Sequence, residues 1–187
     1  NQGIIKAKTK YKNSLYIEIE TNLKIHKKDI GSSISCNGVC LTLVKVFKKS
    51  IFFYLSKETL VKSNFRLIKV GSKINIERSM VYGQEISGNY TQGHIDTTGR
   101  INKITILDKT WKIGVLYPFK FKKYLVEKAS ININGVSLTI SKINKKSFEL
   151  DVIPHTLKLT NLINLKIGNI VNIEFDIFSK YLLKINN

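Results

Sequence analysis

Apolar and polar residues alternate along much of this chain with a period of two. Leu15-Tyr16-Ile17-Glu18-Ile19-Glu20, Ile74-Asn75-Ile76-Glu77 and Phe148-Glu149-Leu150-Asp151-Val152 follow it, and Ile51-Phe52-Phe53-Tyr54-Leu55 is a more continuous run of strand formers. Successive side chains of an extended strand point to opposite faces, so the pattern predicts half-buried β-strands. Asn37-Gly38 and Asn134-Gly135 are turn signals, because both residue types tolerate positive φ. Short strands about ten residues apart predict small closed barrels, since closure leaves no strand edge unpaired. Two stretches carry helical spacing instead. Pro118 opens one that runs to about Val126 with Phe121, Tyr124 and Leu125 on one face, and the segment from Phe178 to Ile185 puts Phe178, Tyr181, Leu182 and Ile185 on one stripe. That terminal stripe needs a cover, either its own barrel or another subunit.

The chain also repeats itself. Asn37-Gly38-Val39-Cys40-Leu41-Thr42 returns as Asn134-Gly135-Val136-Ser137-Leu138-Thr139, an offset of 97 residues that holds without a gap through Asn75-Ile76-Glu77 and Asn172-Ile173-Glu174. Over the 43 positions from Ser35 to Glu77 there are 17 identities. A period this long means paired domains, since solenoid repeats run about 20–50 residues. A weaker echo, Gly3-Ile4-Ile5 against Gly93-His94-Ile95, sets the start of the second unit near residue 88. The expected architecture is mainly β: two tandem six-stranded Greek-key-like barrels over 1–87 and 88–176, and a C-terminal helix over 177–187.

Composition narrows the function. With 187 residues and 43% hydrophobic content, there is material for a core in each unit. The 31 Lys and Arg against 13 Asp and Glu give +18, which raises nucleic acid or an anionic membrane as a partner. Yet only Arg66, Arg78 and Arg100 are arginine, and the 28 lysines are scattered among Asn and Ile. Phosphate-binding surfaces favour the two-pronged arginine fork, so the charge reads as a solvated lysine-rich surface, with neither nucleic acid nor membrane as partner. No apolar run approaches the roughly 18 residues of a membrane span, and Lys6, Lys8, Lys10 and Lys12 interrupt the first residues where the core of a secretion signal would lie. Cys36, Cys40, His26, His94 and His155 provide neither a disulfide framework nor a zinc set. No metal is expected, and a reducing cytoplasm is the expected compartment.

The repeat breaks its symmetry where chemistry is available. After Asn-Gly-Val the first unit has Cys40 and the second Ser137, two nucleophile-sized side chains at matched positions. Either the copies have divided roles, or Cys40 is an ordinary buried thiol. His94 lies in the polar stretch Gln92-Gly93-His94-Ile95-Asp96, and a histidine there suits general acid–base work because the side chain ordinarily titrates near neutrality. Asp176 follows the strand pattern Val171–Phe175 and is either a site residue or a solvated acid. These features alone define a duplicated β-barrel protein with a candidate small-molecule site.

In this order, and with this duplication, the motifs resemble riboflavin synthases of the trimeric, twin-barrel kind. The carriers are Gly3-Ile4-Ile5, the two Asn-Gly-Val hexapeptides, Lys57-Glu58-Thr59-Leu60, Gly93-His94-Ile95-Asp96, Ile153-Pro154-His155-Thr156-Leu157 and Asn172-Ile173-Glu174-Phe175-Asp176. The resemblance implies a cofactor-free dismutation of two molecules of 6,7-dimethyl-8-ribityllumazine, yielding riboflavin and 5-amino-6-ribitylamino-uracil. One lumazine would bind each barrel, with a complete site between the first barrel of one subunit and the second barrel of a neighbour in a homotrimer. Lumazine synthase is a further partner it suggests.

Carried over by motif, the catalytic set is Cys40, His94, Ser137, Thr139 and Asp176. The first-barrel pocket would add Gly3, Ile4, Ile5, Ser33, Leu41, Thr42, Tyr54, Leu55, Ser56, Lys57, Glu58, Thr59, Gly93 and Ile95. The second-barrel pocket would add Lys128, Leu138, Val152, Ile153, Pro154, His155, Thr156 and Leu157. A non-catalytic lumazine or flavin carrier of the same architecture is the alternative. Two positions depart from the family pattern: Asn1-Gln2 stand before Gly3 where Met-Phe-Thr is usual, and Ser87-Gly88-Asn89 replaces a Gly-Gly-His stretch. Both changes are expected to fall in the first barrel's half of the site.

Overall fold

In the computed structural model the described residues are 1–86 and 88–185, so Ser87 and the last two positions of the expected terminal helix lie outside them. Two six-stranded antiparallel barrels follow one another along the chain. The first comprises β1 (Gln2–Tyr11), β2 (Ser14–Thr21), β3 (Ser33–Cys36), β4 (Val39–Phe47), β5 (Ser50–Leu55) and β6 (Lys73–Arg78), closed in the order β1-β2-β5-β4-β3-β6. The second comprises β7 (Thr97–Leu107), β8 (Thr110–Leu116), β9 (Ser130–Ile133), β10 (Val136–Ile143), β11 (Ser147–Val152) and β12 (Ile170–Phe175), closed in the equivalent order. One-turn helices α1 (Lys57–Lys62) and α2 (Pro154–Leu159) follow β5 and β11, and α3 (Ile177–Ile185) ends the chain. The three alternating runs and the continuous run read from the sequence all lie within strands.

Each barrel has its own core, because one face of every strand carries β-branched or aromatic residues that cannot be left in water. Ile5, Ile17, Ile19, Leu43 and Phe53 fill the first, and Ile101, Val115, Phe148, Leu150 and Ile173 fill the second. Each such side chain contributes roughly 1.5–3 kcal/mol by leaving solvent. Strand registers shift at Ile5/Ala7 and Leu43/Lys45 in one barrel and at Ile101/Lys103 and Ile140/Lys142 in the other. These bulges sit at matched positions of the repeat and supply the bends a small barrel needs to close.

Strand pairing corrects one part of the repeat. Gly3 pairs with Ile74 on β6, and the matching partner of Val171 on β12 is Gly99, not Gly93. The echo Gly3-Ile4-Ile5 against Gly93-His94-Ile95 is therefore coincidental, and Gly99-Arg100-Ile101 holds the equivalent place. The helix expected from Pro118 is the tighter 3-10 form over Phe119–Tyr124, and Phe121 and Tyr124 stack on Phe175 with ring centroids 5.5 Å away in each case.

The barrels meet across a seam built from asparagine. Asn37, Asn64 and Asn75 correspond in the repeat to Asn134, Asn161 and Asn172, and their bonds are reciprocal. Asn64 N donates to Asn172 Oδ1 and Asn161 N to Asn75 Oδ1, each at 2.7 Å. Asn172 Nδ2 donates to Asn37 O at 2.9 Å and Asn75 Nδ2 to Asn134 O at 3.0 Å. The two Asn-Gly turns lie back to back here, with φ values of 46° and 78° in one and 50° and 78° in the other. A Cβ built on Gly38 would fall 2.6 Å from Gly135 N, so only glycine fits. Asparagine suits the seam because one side chain both donates and accepts, satisfying the turn backbone that contact removes from water.

Candidate functional site

The hairpin of β3 and β4 sends Ile34, Cys36, Val39 and Leu41 into the core, which leaves Ser33 opposite Thr42 and Ser35 opposite Cys40 on the outer face. The second barrel repeats this arrangement with Ser130 opposite Thr139 and Asn132 opposite Ser137. Alternation along a strand thus displays the matched Cys40 and Ser137 on equivalent outer surfaces.

On the first barrel that surface borders a cleft of about 350 Å³, lined by Val39, Cys40, Glu58, Thr59, Lys62, Ser63, Gly93, His94 and Ile95. Six of these are residues expected from the sequence, drawn from β4, α1 and the segment between the barrels. Ser56 starts α1 by accepting a hydrogen bond from Thr59 N at 3.2 Å on its Oγ, which fixes Thr59 at the cleft wall. Glu58 pairs with Lys62 one turn on at 2.9 Å, and that ammonium holds the Glu58 carboxyl below the usual carboxylate range. The cleft therefore offers a thiol, a hydroxyl, an ion pair and an exposed imidazole within one concave surface.

The inter-barrel segment closes the open side. β5 pairs with β4 only from Leu43 onward, so the outward-facing Cys40 N is free to donate to Gly93 O, at 2.8 Å. Gly93 takes φ +78°, and a Cβ there would fall 2.8 Å from both Cβ and N of Cys40. From the second barrel, Glu174 Oε1 accepts from Gln92 N at 2.9 Å and Oε2 from Gly93 N at 3.0 Å. Burial pushes the Glu174 carboxyl above the ordinary glutamate value, offset in part by the amides of residues 92–94 and by Lys180. Asp96 accepts from Phe175 N at 2.9 Å and pairs with Lys180 of α3 at 2.6 Å.

The remaining expected residues fall into three groups. Ile5, Leu41, Leu55, Val152 and Leu157 bury their side chains in the barrel cores, so only their backbone can face a ligand. Ser33, Thr42, Tyr54, Ser56, Lys57 and Ile4 lie on the first barrel outside the cleft lining, Tyr54 standing edge-on to Tyr16 at 5.1 Å. Gly3 is packed beneath Ile19 and Ile76.

Ser137, Thr139, Lys128, Leu138, Ile153, Pro154, His155, Thr156 and Asp176 belong to the second barrel and its α2 and α3 ends. Ser137 and Thr139 are exposed, and Asp176 Oδ1 caps α3 by accepting from Phe178 N at 2.9 Å. None of these reaches the first-barrel cleft of the same chain. Asn89, expected in the first barrel's half, lies beside the second instead: Thr91 Oγ1 bridges it to Asn132, and the adjacent Gly88 abuts Ser137. Sequence reasoning missed Lys62, Ser63 and the role of Glu174.

A larger cavity of about 450 Å³ lies where β1 and β2 meet α1, lined by Lys8, Lys10, Lys12, Asn13, Ser14, Leu15, Leu60 and Arg66. It contains none of the expected site residues and no nucleophile–base pair. Among the described residues no helix is long and apolar enough to cross a membrane.

Comparison with known proteins identifies the family of this twin-barrel chain. Residues 1–79 and 92–176 each match the lumazine binding domain. The chain is 36% identical over 184 residues to the riboflavin synthase of Photobacterium leiognathi, covering 98% of this chain and 84% of that protein. It is 40% identical over 154 residues to that of Actinobacillus pleuropneumoniae, covering 82% and 71%. Among solved structures, LumP in complex with 6,7-dimethyl-8-(1'-D-ribityl) lumazine superposes with a TM-score of 0.81 at 24% identity, covering 94% of this chain and 95% of that one. LumP in complex with flavin mononucleotide superposes at 0.84 with 25% identity and the same coverage.

Proposed function

The chain belongs to the riboflavin synthase family of duplicated lumazine-binding domains, and on that premise we propose that it converts two molecules of 6,7-dimethyl-8-ribityllumazine into riboflavin and 5-amino-6-ribitylamino-uracil. Such an enzyme is a transferase, moving a four-carbon unit from one lumazine to the other. The observation that carries the reading is the cleft that gathers Cys40, Thr59 and His94 on a barrel whose partner repeats the same outward polar ladder around Ser137.

The reaction removes a proton from the C7 methyl of one lumazine and adds the resulting carbon nucleophile to the other. Holding two rings face to face contributes roughly 7–11 kcal/mol through lost translational and rotational freedom, so weak bases suffice. His94, exposed at the cleft rim, accepts and returns protons, and Cys40 contacts the ring undergoing addition. Ser137, Thr139 and Asp176 form the complementary half. Since they do not reach the cleft of their own chain, the complete site joins two subunits. The uncovered stripe on α3, with Phe178, Tyr181, Leu182 and Ile185 all at least 60% exposed, supports assembly into a homotrimer through that helix.

Incubating the protein with 6,7-dimethyl-8-ribityllumazine and separating the products by chromatography tests the proposal. Riboflavin and the uracil in equal amounts support it. A second reading, a non-catalytic carrier, is favoured by Asn1 at the family's aromatic position, where its carbonyl accepts from Ile76 N at 2.9 Å. Bound, fluorescent ligand without product would establish that reading.

A further inference from the structure

We propose that Glu174 is a positioning residue, a latch by which the second barrel holds the Gln92–His94 segment against Cys40 and so sets the wall of the first-barrel cleft. Glu174 as a residue is 2% exposed, and its two carboxylate oxygens accept from successive amides, Gln92 N at 2.9 Å and Gly93 N at 3.0 Å. Gly93 then turns its carbonyl the other way and accepts from Cys40 N at 2.8 Å. One residue thus receives a hydrogen bond from the first barrel and donates one to the second. Asp96 anchors the same segment from behind, its N donating to Ile173 O at 3.0 Å and its carboxylate meeting Phe175 N and Lys180.

The repeat supplies an internal comparison. Glu77 occupies the matching position on β6, yet its side chain is exposed. Duplication alone therefore does not explain why an acid is buried at 174. Two adjacent backbone N–H groups converging on one anion do, because they compensate a carboxylate that burial would otherwise penalise. The inference rests on the proposed function only for its consequence in turnover; the latch is defined by geometry alone.

The test uses thiol labelling of the whole protein with 5,5'-dithiobis(2-nitrobenzoate), the labelled site being identified by peptide mass. Cys40 is half-buried beneath Gly93, whereas Cys36 is fully buried with its thiol pushed far up by burial, so Cys36 reports global opening. Glu174→Gln replaces one acceptor with a donor facing an N–H. It should label at Cys40 about tenfold faster or more, with Cys36 still protected and Glu77→Gln indistinguishable from the unaltered chain. An unchanged Cys40 rate in folded Glu174→Gln overturns the latch, as does simultaneous labelling of Cys36 with no selective gain at Cys40.

If that variant does not fold, hydrogen exchange on the unaltered chain decides. Protected Gln92 and Gly93 amides support the latch, and exchange as fast as in free peptide refutes it. Failure of the unaltered protein to form riboflavin would sink the proposed function while leaving both of these measurements readable.

Discussion

Gly93 and Cys40 are joined backbone to backbone, and no side chain fits between them. The Cys40 N to Gly93 O bond of 2.8 Å brings the chains so close that a Cβ on residue 93 would overlap Cys40. Gly93→Ala must both enter a positive-φ conformation and push this segment away. A destabilisation of about 1–3 kcal/mol is expected, with weaker lumazine binding. Thermal unfolding and a fluorescence titration with the substrate check the two effects separately.

His94 sits exposed at the rim of the same cleft, and among the described residues its side chain makes no hydrogen bond or ion pair. His94→Gln should therefore leave the melting temperature unchanged while turnover falls by about 100-fold, the range typical of lost acid–base assistance. Substrate affinity close to that of the unaltered protein, measured alongside, would separate chemistry from binding. Near-normal turnover would remove His94 from the mechanism.

The seam can be probed at Asn172, which is fully buried and bonds both Asn64 N and Asn37 O. Asn172→Ala leaves a donor and an acceptor unpaired in a place water does not enter. The expected loss is about 3 kcal/mol, or a fall of about 6–12 °C in melting temperature for a chain of this size. Exposed Asn169 provides the matched control.

The pH dependence of stability follows from the sign of the shift at Glu174. Its carboxyl binds a proton more tightly in the folded chain than in the unfolded one, with Lys180 and the amides of residues 92–94 only partly offsetting burial. Its contribution is complete below the ordinary value of 4.5 and is lost as pH rises through the folded value. The melting temperature of the unaltered protein relative to Glu174→Gln should therefore decline as pH rises from about 4 towards neutrality. Asp29 and Glu58, both held below their ordinary values, act in the opposite sense but cancel in this difference.

Assembly is testable through α3. Leu182→Asp places a charge in the uncovered apolar stripe without touching either barrel. Light scattering should show three times the 21.4 kDa chain mass for the unaltered protein and a single chain for the variant. Loss of turnover in the variant would follow if Ser137 and Asp176 act on a neighbour's cleft. A variant that remains trimeric would dissociate α3 from assembly.

Much of this architecture was legible because strand periodicity and the 97-residue offset are local properties of the chain. Cys40, Thr59 and His94 were likewise identifiable by motif, and they do converge. What escaped was whatever depends on how the barrels face each other. Asn64 reads as an ordinary member of a lysine- and asparagine-rich composition and Asn75 only as a repeat match, yet they bond residues 108 and 86 positions away. Glu174 matched Glu77 perfectly in sequence, and only packing gave one a buried anion's role and left the other in water. The false echo at Gly93 arose for the same reason: three residues resembled a strand start but serve as a bridge.

The reciprocity of the asparagine seam bears on how such a chain could arise. A contact in which each half offers the other the same donors and acceptors is what two identical molecules form across a two-fold axis. Gly38 meeting Gly135 is then a residue meeting its own image in the repeat. The connecting segment makes the copies unequal: it lies against Cys40 of the first barrel and is held by Glu174 of the second. That bridge, running from Glu174 through Gly93 to Cys40, is one place where the two halves are no longer equivalent.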